Sequence, residues 1–223
     1  MPQADLKIGR IVSAPFDENT YIAHLTGRND CVVFDPGFEP GAILAYLDQH
    51  SLTPAAIVCT HGHSDHIAGN QTLKNRWPAC PLVIGERDAE KLTDANLNLS
   101  APFGVELISP PADRLLREGE KFEAAGLQFE ILEAPGHSIG HIVLVCRHAE
   151  PWYVFGGDVL FAGSVGRTDF PDGNFDDLRN AIHNKLFTLP EETIVLPGHG
   201  PETTMGREKR SNPFVGAPSG YRA

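Results

Sequence analysis

The chain has 223 residues, of which 41% are hydrophobic and 21% charged, and its formal net charge is −11 at pH 7. A chain of this size and composition can bury a core, which excludes intrinsic disorder and predicts one domain over residues 1–223. An acidic surface repels phosphate backbones, so we expect no nucleic-acid partner.

The chain has no apolar run of about 18 residues, so we expect no membrane span, and its first ten residues lack the apolar core of a secretory signal. The chain has four cysteines, Cys31, Cys59, Cys80 and Cys146, and none of them forms a CxxC spacing. Three of the four lie in apolar runs, which is typical of buried free thiols. We therefore expect a soluble cytoplasmic protein that is a monomer or a small homo-oligomer.

Short apolar runs alternate with helical stretches along the chain, which predicts a mixed α/β fold with two sheets or one large sheet. The predicted strands are Leu6–Val12, Thr20–Leu25, Cys31–Phe34, Ala55–Cys59, Leu82–Ile84, Leu127–Leu132, His141–Val145, Trp152–Phe155 and Thr193–Leu196. The predicted helices are Pro40–His50, His66–Arg76, Glu86–Leu92 and Phe175–Leu186. The proline-containing segment Thr93–Arg117 has no clear period, so we interpret it as a long surface excursion.

Four of these strand-like runs end directly in polar turns. Their sequences are VVFDPG, AIVCTHGHSDH, YVFGGD and TIVLPGHG. Loops at strand ends are where a rigid sheet usually carries an active site, so the polar residues of these turns are candidates for one.

The most informative of the four turns is the run THGHSDH at residues 60–66. In an extended segment, side chains two residues apart point the same way, so His61 and His63 can hold one ion as a pair. After the following turn, Asp65 and His66 can face a second ion beside the first. Imidazole and carboxylate ligands suit zinc, and also iron or manganese.

Three further turns each place one residue of a metal-ligand type next to glycine: Pro135-Gly136-His137, Gly156-Gly157-Asp158 and Pro197-Gly198-His199. A lone Pro-Gly-His is an ordinary turn, but three such turns beside the histidine motif favour a shared metal site. The two oxygens of Asp158 can bridge ions about 3.5–4 Å apart, the spacing of two-metal sites. The sequence therefore predicts two bound divalent ions, with zinc expected and iron or manganese as alternatives.

This order of ligands resembles the metallo-β-lactamase superfamily, and within it the glyoxalase II-like (hydroxyacylglutathione hydrolase-like) hydrolases. The resemblance runs from about residue 8 to about residue 214 and includes the motifs VVFDPG at 32–37, APGHSIGH at 134–141, GDVLFAGSVGRTDFPDG at 157–173 and LPGHGPETTMGREKRSNPF at 196–214. It implies an αββα sandwich, in which two mixed sheets are flanked by helices and the site lies at one edge between the sheets.

The resemblance also implies a role for each candidate residue. The first metal ion would be bound by His61, His63 and His137, the second by Asp65, His66 and His199, and Asp158 would be shared. Asp65 would in addition orient the attacking hydroxide. Asp35 would orient a ligand histidine by hydrogen bonding, with a simple Asp-Pro-Gly turn as the alternative.

Recognition of glutathione is a separate expectation. Arg167 falls where the family has a basic residue that contacts the glutathione carboxylate, and a surface salt bridge is the alternative role. True glyoxalase II holds much of the glutathione with a C-terminal helical domain, whereas here residues 200–223 follow His199. We therefore expect glutathione to be held weakly.

The resemblance implies hydrolysis of a small-molecule thioester or ester, such as hydroxyacylglutathione, by a hydroxide that bridges the two metal ions. Lactonases share all seven ligands and stay an alternative. Persulfide dioxygenases, which use one iron, have similar early histidines and a GRTDF-like segment, but the His199 turn favours a second metal ion. A metal-binding module without catalysis is the non-enzyme alternative. The commonest zinc β-lactamases carry Arg in place of His66 and Cys in place of Asp158, so we do not expect that activity.

Overall fold

The computed structural model describes residues 4–222. Its strands are β1 Leu6–Ser13, β2 Glu18–Leu25, β3 Asp30–Phe34, β4 Thr53–Cys59, β5 Leu82–Gly85, β6 Arg114–Leu116, β7 Lys121–Ala124, β8 Leu127–Glu133, β9 Ile142–Cys146, β10 Tyr153–Gly157, β11 Leu160–Phe161, β12 Ser164–Val165, β13 Ile194–Pro197 and β14 Thr203–Thr204. Its α-helices are α1 Pro40–Gln49, α2 Ser64–Ile67, α3 Asn70–Arg76, α4 Phe175–Asn184 and α5 Met205–Ser211. Four segments form 3₁₀ helices: Glu86–Thr93, Ala101–Phe103, Leu186–Thr188 and Ala217–Ser219.

The strands form two six-stranded sheets and one small hairpin. The first sheet has the order β1-β2-β3-β4-β5-β6, the second the order β14-β13-β10-β9-β8-β7, and β11 pairs with β12. In the first sheet β1 to β3 pair antiparallel, whereas β3 to β6 pair parallel. In the second sheet only the pairing of β10 with β13 is parallel. Both large sheets are therefore mixed, as expected.

The alternation of side chains along the strands builds three apolar layers. In β3, Val32 and Phe34 face the second sheet, while Val33 packs with Ile43 and Leu47 of α1. β9 shows the same period of two. Residues 142 and 144 lie in the core between the sheets, whereas residues 143 and 145 lie in the layer under α4 and α5. The layers are thus helix, sheet, sheet and helix, which confirms the αββα prediction.

The two sheets approach each other at one edge, where several strands end. The Ile142 N–H, at the start of β9, donates to the Thr60 carbonyl just beyond β4, at 2.8 Å. The Tyr21 hydroxyl donates to the Pro197 carbonyl at the end of β13, at 3.1 Å. Because these bonds join one sheet to the other, the loops that follow β4, β10 and β13 lie together.

All nine predicted strands are present, with bounds shifted by at most a few residues. The predicted helix His66–Arg76 is wrong in extent. It is divided into α2 and α3 at Gly69, whose N–H donates to the Pro36 carbonyl at 2.7 Å and which packs against Pro36 where a side chain would clash. The predicted helix Glu86–Leu92 is 3₁₀ rather than α, and the excursion Thr93–Arg117 contains β6 at the sheet edge. No helix within residues 4–222 is long and apolar enough to cross a membrane.

Candidate metal centre

Each predicted ligand lies just beyond a strand at the edge where the sheets meet. The run from His61 to His66 follows β4 and turns into α2, Asp158 follows β10, and His199 follows β13. His137 lies in the connection between β8 and β9. The structure therefore brings all seven candidate ligands to one place, although they are spread over nearly 140 residues of sequence (199 − 61 = 138).

Three imidazole nitrogens face one common point. The distance from His61 Nε2 to His63 Nδ1 is 3.1 Å, from His63 Nδ1 to His137 Nε2 2.9 Å, and from His137 Nε2 to His61 Nε2 3.2 Å. Nitrogens held about 2.0–2.1 Å from a tetrahedral ion would be separated by about 3.3 Å, close to these distances. This triad of histidines therefore has the shape of a set of metal ligands.

A second group of side chains surrounds a neighbouring point. Asp65 Oδ2 lies 3.4 Å from His199 Nε2 and 3.8 Å from His66 Nε2. Asp158 lies between the two groups, since its Oδ1 is 3.5 Å from His66 Nε2 and its Oδ2 is 3.4 Å from His199 Nε2 and 3.5 Å from His137 Nε2. One carboxylate thus reaches ligands of both groups.

The donor chemistry fits divalent metal ions. Three sets of donor atoms each lie within 4.8 Å of one another: His61, His63 and His137; His61, His66 and Asp158; and Asp65, His66 and His199. Among the buried polar atoms without a hydrogen-bond partner are His66 Nε2 and Asp158 Oδ1. Buried polar atoms normally form hydrogen bonds, whereas these two lie 3.5 Å apart without one, an arrangement that fits a metal ion between them.

The other nitrogen of several ligand rings is held by a polar contact. His137 Nδ1 lies 2.8 Å from the Arg167 carbonyl, and His199 Nδ1 lies 2.9 Å from the Phe16 carbonyl. When such a ring is neutral, donation of Nδ1–H to a carbonyl leaves Nε2 unprotonated, so that its lone pair can face a metal ion. These contacts therefore fix the tautomer that a metal ion requires.

Asp35 is buried behind the second group. It accepts the backbone N–H and the hydroxyl of Thr60 at 2.7 and 2.8 Å, and its Oδ2 lies 3.2 Å from His66 Nδ1. Its backbone is in the left-handed region, with φ at +47°, which directs the carboxylate from the end of β3 towards β4. Asp35 is therefore buried and in contact with the candidate ligand His66, as an orienting role requires and a simple Asp-Pro-Gly turn does not.

The two groups of side chains differ in their charge at pH 7 when no metal ion is bound. Burial lowers the pKa of His61 and His63 well below the usual value for imidazole, and neighbouring positive groups lower it further. Burial would lower the pKa of His66 and His199 too, but the carboxylates of Asp158 and Asp65 outweigh it and raise these values to about 10 and about 11. The first group is therefore neutral at pH 7, whereas the second is a cluster of ion pairs that a metal ion would replace.

A cavity of about 310 Å³ opens onto the metal centre. Its polar side carries His63, Ser64, Asp65, His137, Asp158, Arg167 and His199, and its apolar side Phe16, Leu99, Phe103, Phe161 and Phe170. The Arg167 guanidinium lies at the cavity but forms two hydrogen bonds to Asp169, at 2.9 and 2.8 Å. Sequence reasoning missed the aromatic side, because isolated phenylalanines in different loops carry no common pattern.

His141 is not one of the seven candidate ligands, but it contacts two of them and holds them in place. Its Nε2 accepts the backbone N–H of Asp158 at 3.0 Å, and its ring stacks on that of His61 at 4.7 Å between centroids. Burial lowers the pKa of His141 well below its usual range, so the ring is neutral and Nε2 can accept. The only sequence signal for this contact was that His141 is the last residue of the APGHSIGH motif.

Known proteins similar to this chain include two bacterial relatives. The probable metallo-hydrolase YqgX of Bacillus subtilis is 39% identical over 211 residues, which cover 94% of this chain and 98% of that protein. The hydroxyacylglutathione hydrolase GloC of Haemophilus influenzae is 36% identical over 195 residues, which cover 86% of this chain and 90% of that protein.

Three solved structures share the fold closely. BLEG-1, described as a B3 metallo-β-lactamase, has a TM-score of 0.89 at 35% identity and covers 94% of this chain and 99% of its own. TTHA1623 in a di-iron-bound form has a TM-score of 0.81 at 35% identity, with 93% and 100% covered. ETHE1 from Myxococcus xanthus has a TM-score of 0.78 at 28% identity, with 95% and 85% covered. Residues 14–199 match the model of the metallo-β-lactamase superfamily, and this chain belongs to that superfamily.

Proposed function

We propose that this metallo-hydrolase is a dinuclear thioester hydrolase of the glyoxalase II-like kind. The observation that carries the proposal is the position of Asp158, whose two oxygens reach His66 on one side and His137 and His199 on the other. Such a carboxylate suits two ions that share it. The likeness to GloC supports a thioester substrate, and the likeness to TTHA1623 in its di-iron form supports two metal ions.

The residues divide the work as follows in this proposal. The first ion would be held by His61, His63 and His137, the second by Asp65, His66 and His199, with Asp158 shared. Divalent ions held there would lower the pKa of a bound water towards neutrality and so would supply a nucleophile at physiological pH. Zinc is the expected ion, and iron or manganese would fit the same ligands.

Asp65 is the proposed catalytic residue, because it both belongs to the second group and lines the cavity. The same position that lets its carboxylate reach His199 also lets it accept a hydrogen bond from the attacking water and fix that water's orientation. The aromatic side of the cavity would limit the access of bulk water to the reacting carbonyl. A substrate carboxylate would compete with Asp169, the present partner, for Arg167.

The experiment is a comparison of two reactions with the metal-loaded protein. Thiol release from S-lactoylglutathione is the expected activity, and the His199→Ala variant should lose most of it, while His50→Ala, which changes an exposed histidine outside the site, should not.

The alternative, persulfide dioxygenase chemistry at one iron, is supported by the likeness to ETHE1. Oxygen uptake with glutathione persulfide, without thiol release from any thioester, would overturn the proposal. A lactone and a β-lactam complete the panel, since lactonases share the ligand set and BLEG-1 is described as a β-lactamase.

A further inference from the structure

The apolar side of the cavity is a wall of five residues, two of which contact the candidate metal ligands. The Phe170 ring lies edge-on to His63 and His137, with centroids 5.1 and 5.6 Å apart. On the other side, the Phe161 ring lies 6.1 Å from that of His199. Because these rings touch the ligand rings, a group attached to the reacting carbonyl would contact the wall directly.

The wall continues outwards on two loops. Phe16, between β1 and β2, packs edge-on against Phe103 of the 3₁₀ helix at 101–103, with centroids 6.0 Å apart. Phe103 is 69% exposed and Phe16 is 40% exposed, so both keep apolar surface in contact with water. The loop that carries Leu99 and Phe103 is tied to the ligands, because the Ser64 N–H donates to the Asn98 carbonyl at 2.9 Å. Large exposed aromatic side chains at a cavity mouth are typical of a surface that a ligand covers.

The cavity offers no uncompensated positive side chain to a substrate carboxylate. Arg167 is the one Arg or Lys among the residues that line it within the described chain. One edge of its guanidinium forms two hydrogen bonds to Asp169, and one face lies over the Phe170 ring, 4.7 Å from the centroid. The cavity volume of about 310 Å³ is also at the low end for small-molecule sites. A compact, apolar substrate fits these properties better than a large anionic one.

We infer that the preferred substrates are thioesters with an apolar chain next to the reacting carbonyl, held by the wall formed by Phe16, Leu99, Phe103, Phe161 and Phe170. This inference rests on the proposed thioester hydrolysis and specifies its substrate class. Burying one methylene against the wall is worth about 0.8 kcal/mol, or roughly fourfold in kcat/KM when burial is complete.

The test uses two series of thioesters with the metal-loaded full chain. In the first, the acyl group on N-acetylcysteamine is acetyl, butanoyl, hexanoyl or succinyl; in the second, acetyl is fixed and the thiol carries the growing chain. We expect kcat/KM to rise about two- to fourfold per methylene in one of the series, and succinyl to react more slowly than butanoyl. The series that rises tells which side of the thioester contacts the wall. A flat response in both series, with hydrolysis measurable, would overturn the inference.

A matched pair of variants assigns the preference to the wall. Phe103→Ala should flatten the dependence of kcat/KM on chain length, because it removes one of the rings that form the wall. Phe214→Ala, which removes a ring 47% exposed outside this cavity, should keep the slope. An unchanged slope in Phe103→Ala would contradict the assignment.

Binding of inert analogues separates this inference from the proposed function. In these analogues a methylene replaces the thioester sulfur, so they cannot be hydrolysed, and calorimetry gives their affinity directly. If no thioester is hydrolysed but affinity still rises with chain length, the thioester function fails and the apolar site stands. If affinity does not depend on chain length, the apolar site fails whatever the enzyme hydrolyses.

Discussion

The carboxylate of Asp88 accepts the backbone N–H of Gly62, the residue between the candidate ligands His61 and His63, at 2.9 Å. Asp88 is fully buried and also accepts the Gly140 N–H at 2.7 Å and the Ser138 hydroxyl, next to His137. One side chain thus connects the two loops that carry the histidine triad. Its charge is balanced by Lys91 Nζ at 3.3 Å.

Replacement of Asp88 should therefore affect both stability and the first metal site. Asp88→Ala leaves the buried N–H groups of Gly62 and Gly140 without their acceptor, whereas the Lys91 ammonium keeps the carboxylate of Asp172, and each buried donor left unsatisfied costs about 1–3 kcal/mol. We expect that loss in urea unfolding of the metal-free protein, together with weaker binding of the ion held by the triad. Asp48→Ala, which breaks only the exposed pair with Arg76, should cost less than about 1 kcal/mol. Equal effects of the two substitutions would refute a linking role for Asp88.

The second prediction concerns metal content. Two groups of ligands that share Asp158 should bind about two divalent ions per chain in protein purified without chelator. Elemental analysis of His199→Ala should approach one ion, because the histidine triad is intact in that variant. A reproducible single iron in the natural protein, kept by His199→Ala, would rule out the dinuclear centre.

The third prediction separates the shared ligand from an unshared one. Asp158→Ala should weaken both ions by at least about tenfold, since its oxygens face both groups, whereas His199→Ala should mainly weaken the second. Stepwise titration with a chelator of known affinity measures the two constants. Two tightly bound ions in Asp158→Ala would show that the carboxylate is not a bridge.

Much of the fold followed from short-range patterns. Short apolar runs predicted the nine main strands, and the glycine-flanked turns after them predicted the candidate ligands that the structure brings together, because both signals lie within a few residues of sequence. Strand pairing did not follow, since nothing in the run CVVF shows that β3 lies between β2 and β4. The short edge strands β6 and β7 were also missed, because three or four residues are too few to define a period.

The residues that hold the candidate ligands in place were harder to predict from the sequence than the candidate ligands themselves. Asp88 and Lys91 lie in a charged stretch that would be solvated on an isolated helix, yet they are 0% and 6% exposed. Their burial results from the approach of the loops around Gly62 and Gly140, where an added side chain would collide with Lys91 and Asp88. Contacts between loops 50 residues apart have no local signature, so only the three-dimensional structure reveals them.

The fourth prediction is a pH dependence at Asp172, which receives a hydrogen bond from Lys91 Nζ at 2.6 Å and from the Ile139 N–H at 3.0 Å. Burial would raise the pKa of Asp172, but these hydrogen bonds outweigh it and hold the pKa below its usual value. When the pKa of a carboxyl group is lower in the folded than in the unfolded state, its ionisation stabilises the protein at pH values above the unfolded pKa of about 3.9. That contribution is lost as the pH falls through the folded pKa. The difference in unfolding free energy between the natural protein and Asp172→Asn should therefore be constant from about pH 5 to 8 and shrink below about pH 4. Asp5→Asn controls for the lost charge, and a difference that grows on acidification would contradict the sign.

The last prediction concerns Arg167 and S-lactoylglutathione. The side chain is 68% exposed and its partner Asp169 67%, and exposed ion pairs are worth about 0–1 kcal/mol, so loss of a substrate contact there should raise KM by no more than about fivefold. Arg167→Ala should raise KM more than it lowers kcat, as expected for a group that binds substrate and transition state equally. Arg147→Ala is a close control, because Arg147 also pairs with a carboxylate, that of Glu130, and stacks on an aromatic ring, that of Trp152, outside the cavity. Asp169→Asn gives the opposite test: if Asp169 competes with the substrate carboxylate for Arg167, this variant should lower KM. Steady-state kinetics of the four proteins decide the matter, and a defect of Arg167→Ala confined to kcat would place the guanidinium in the chemical step instead.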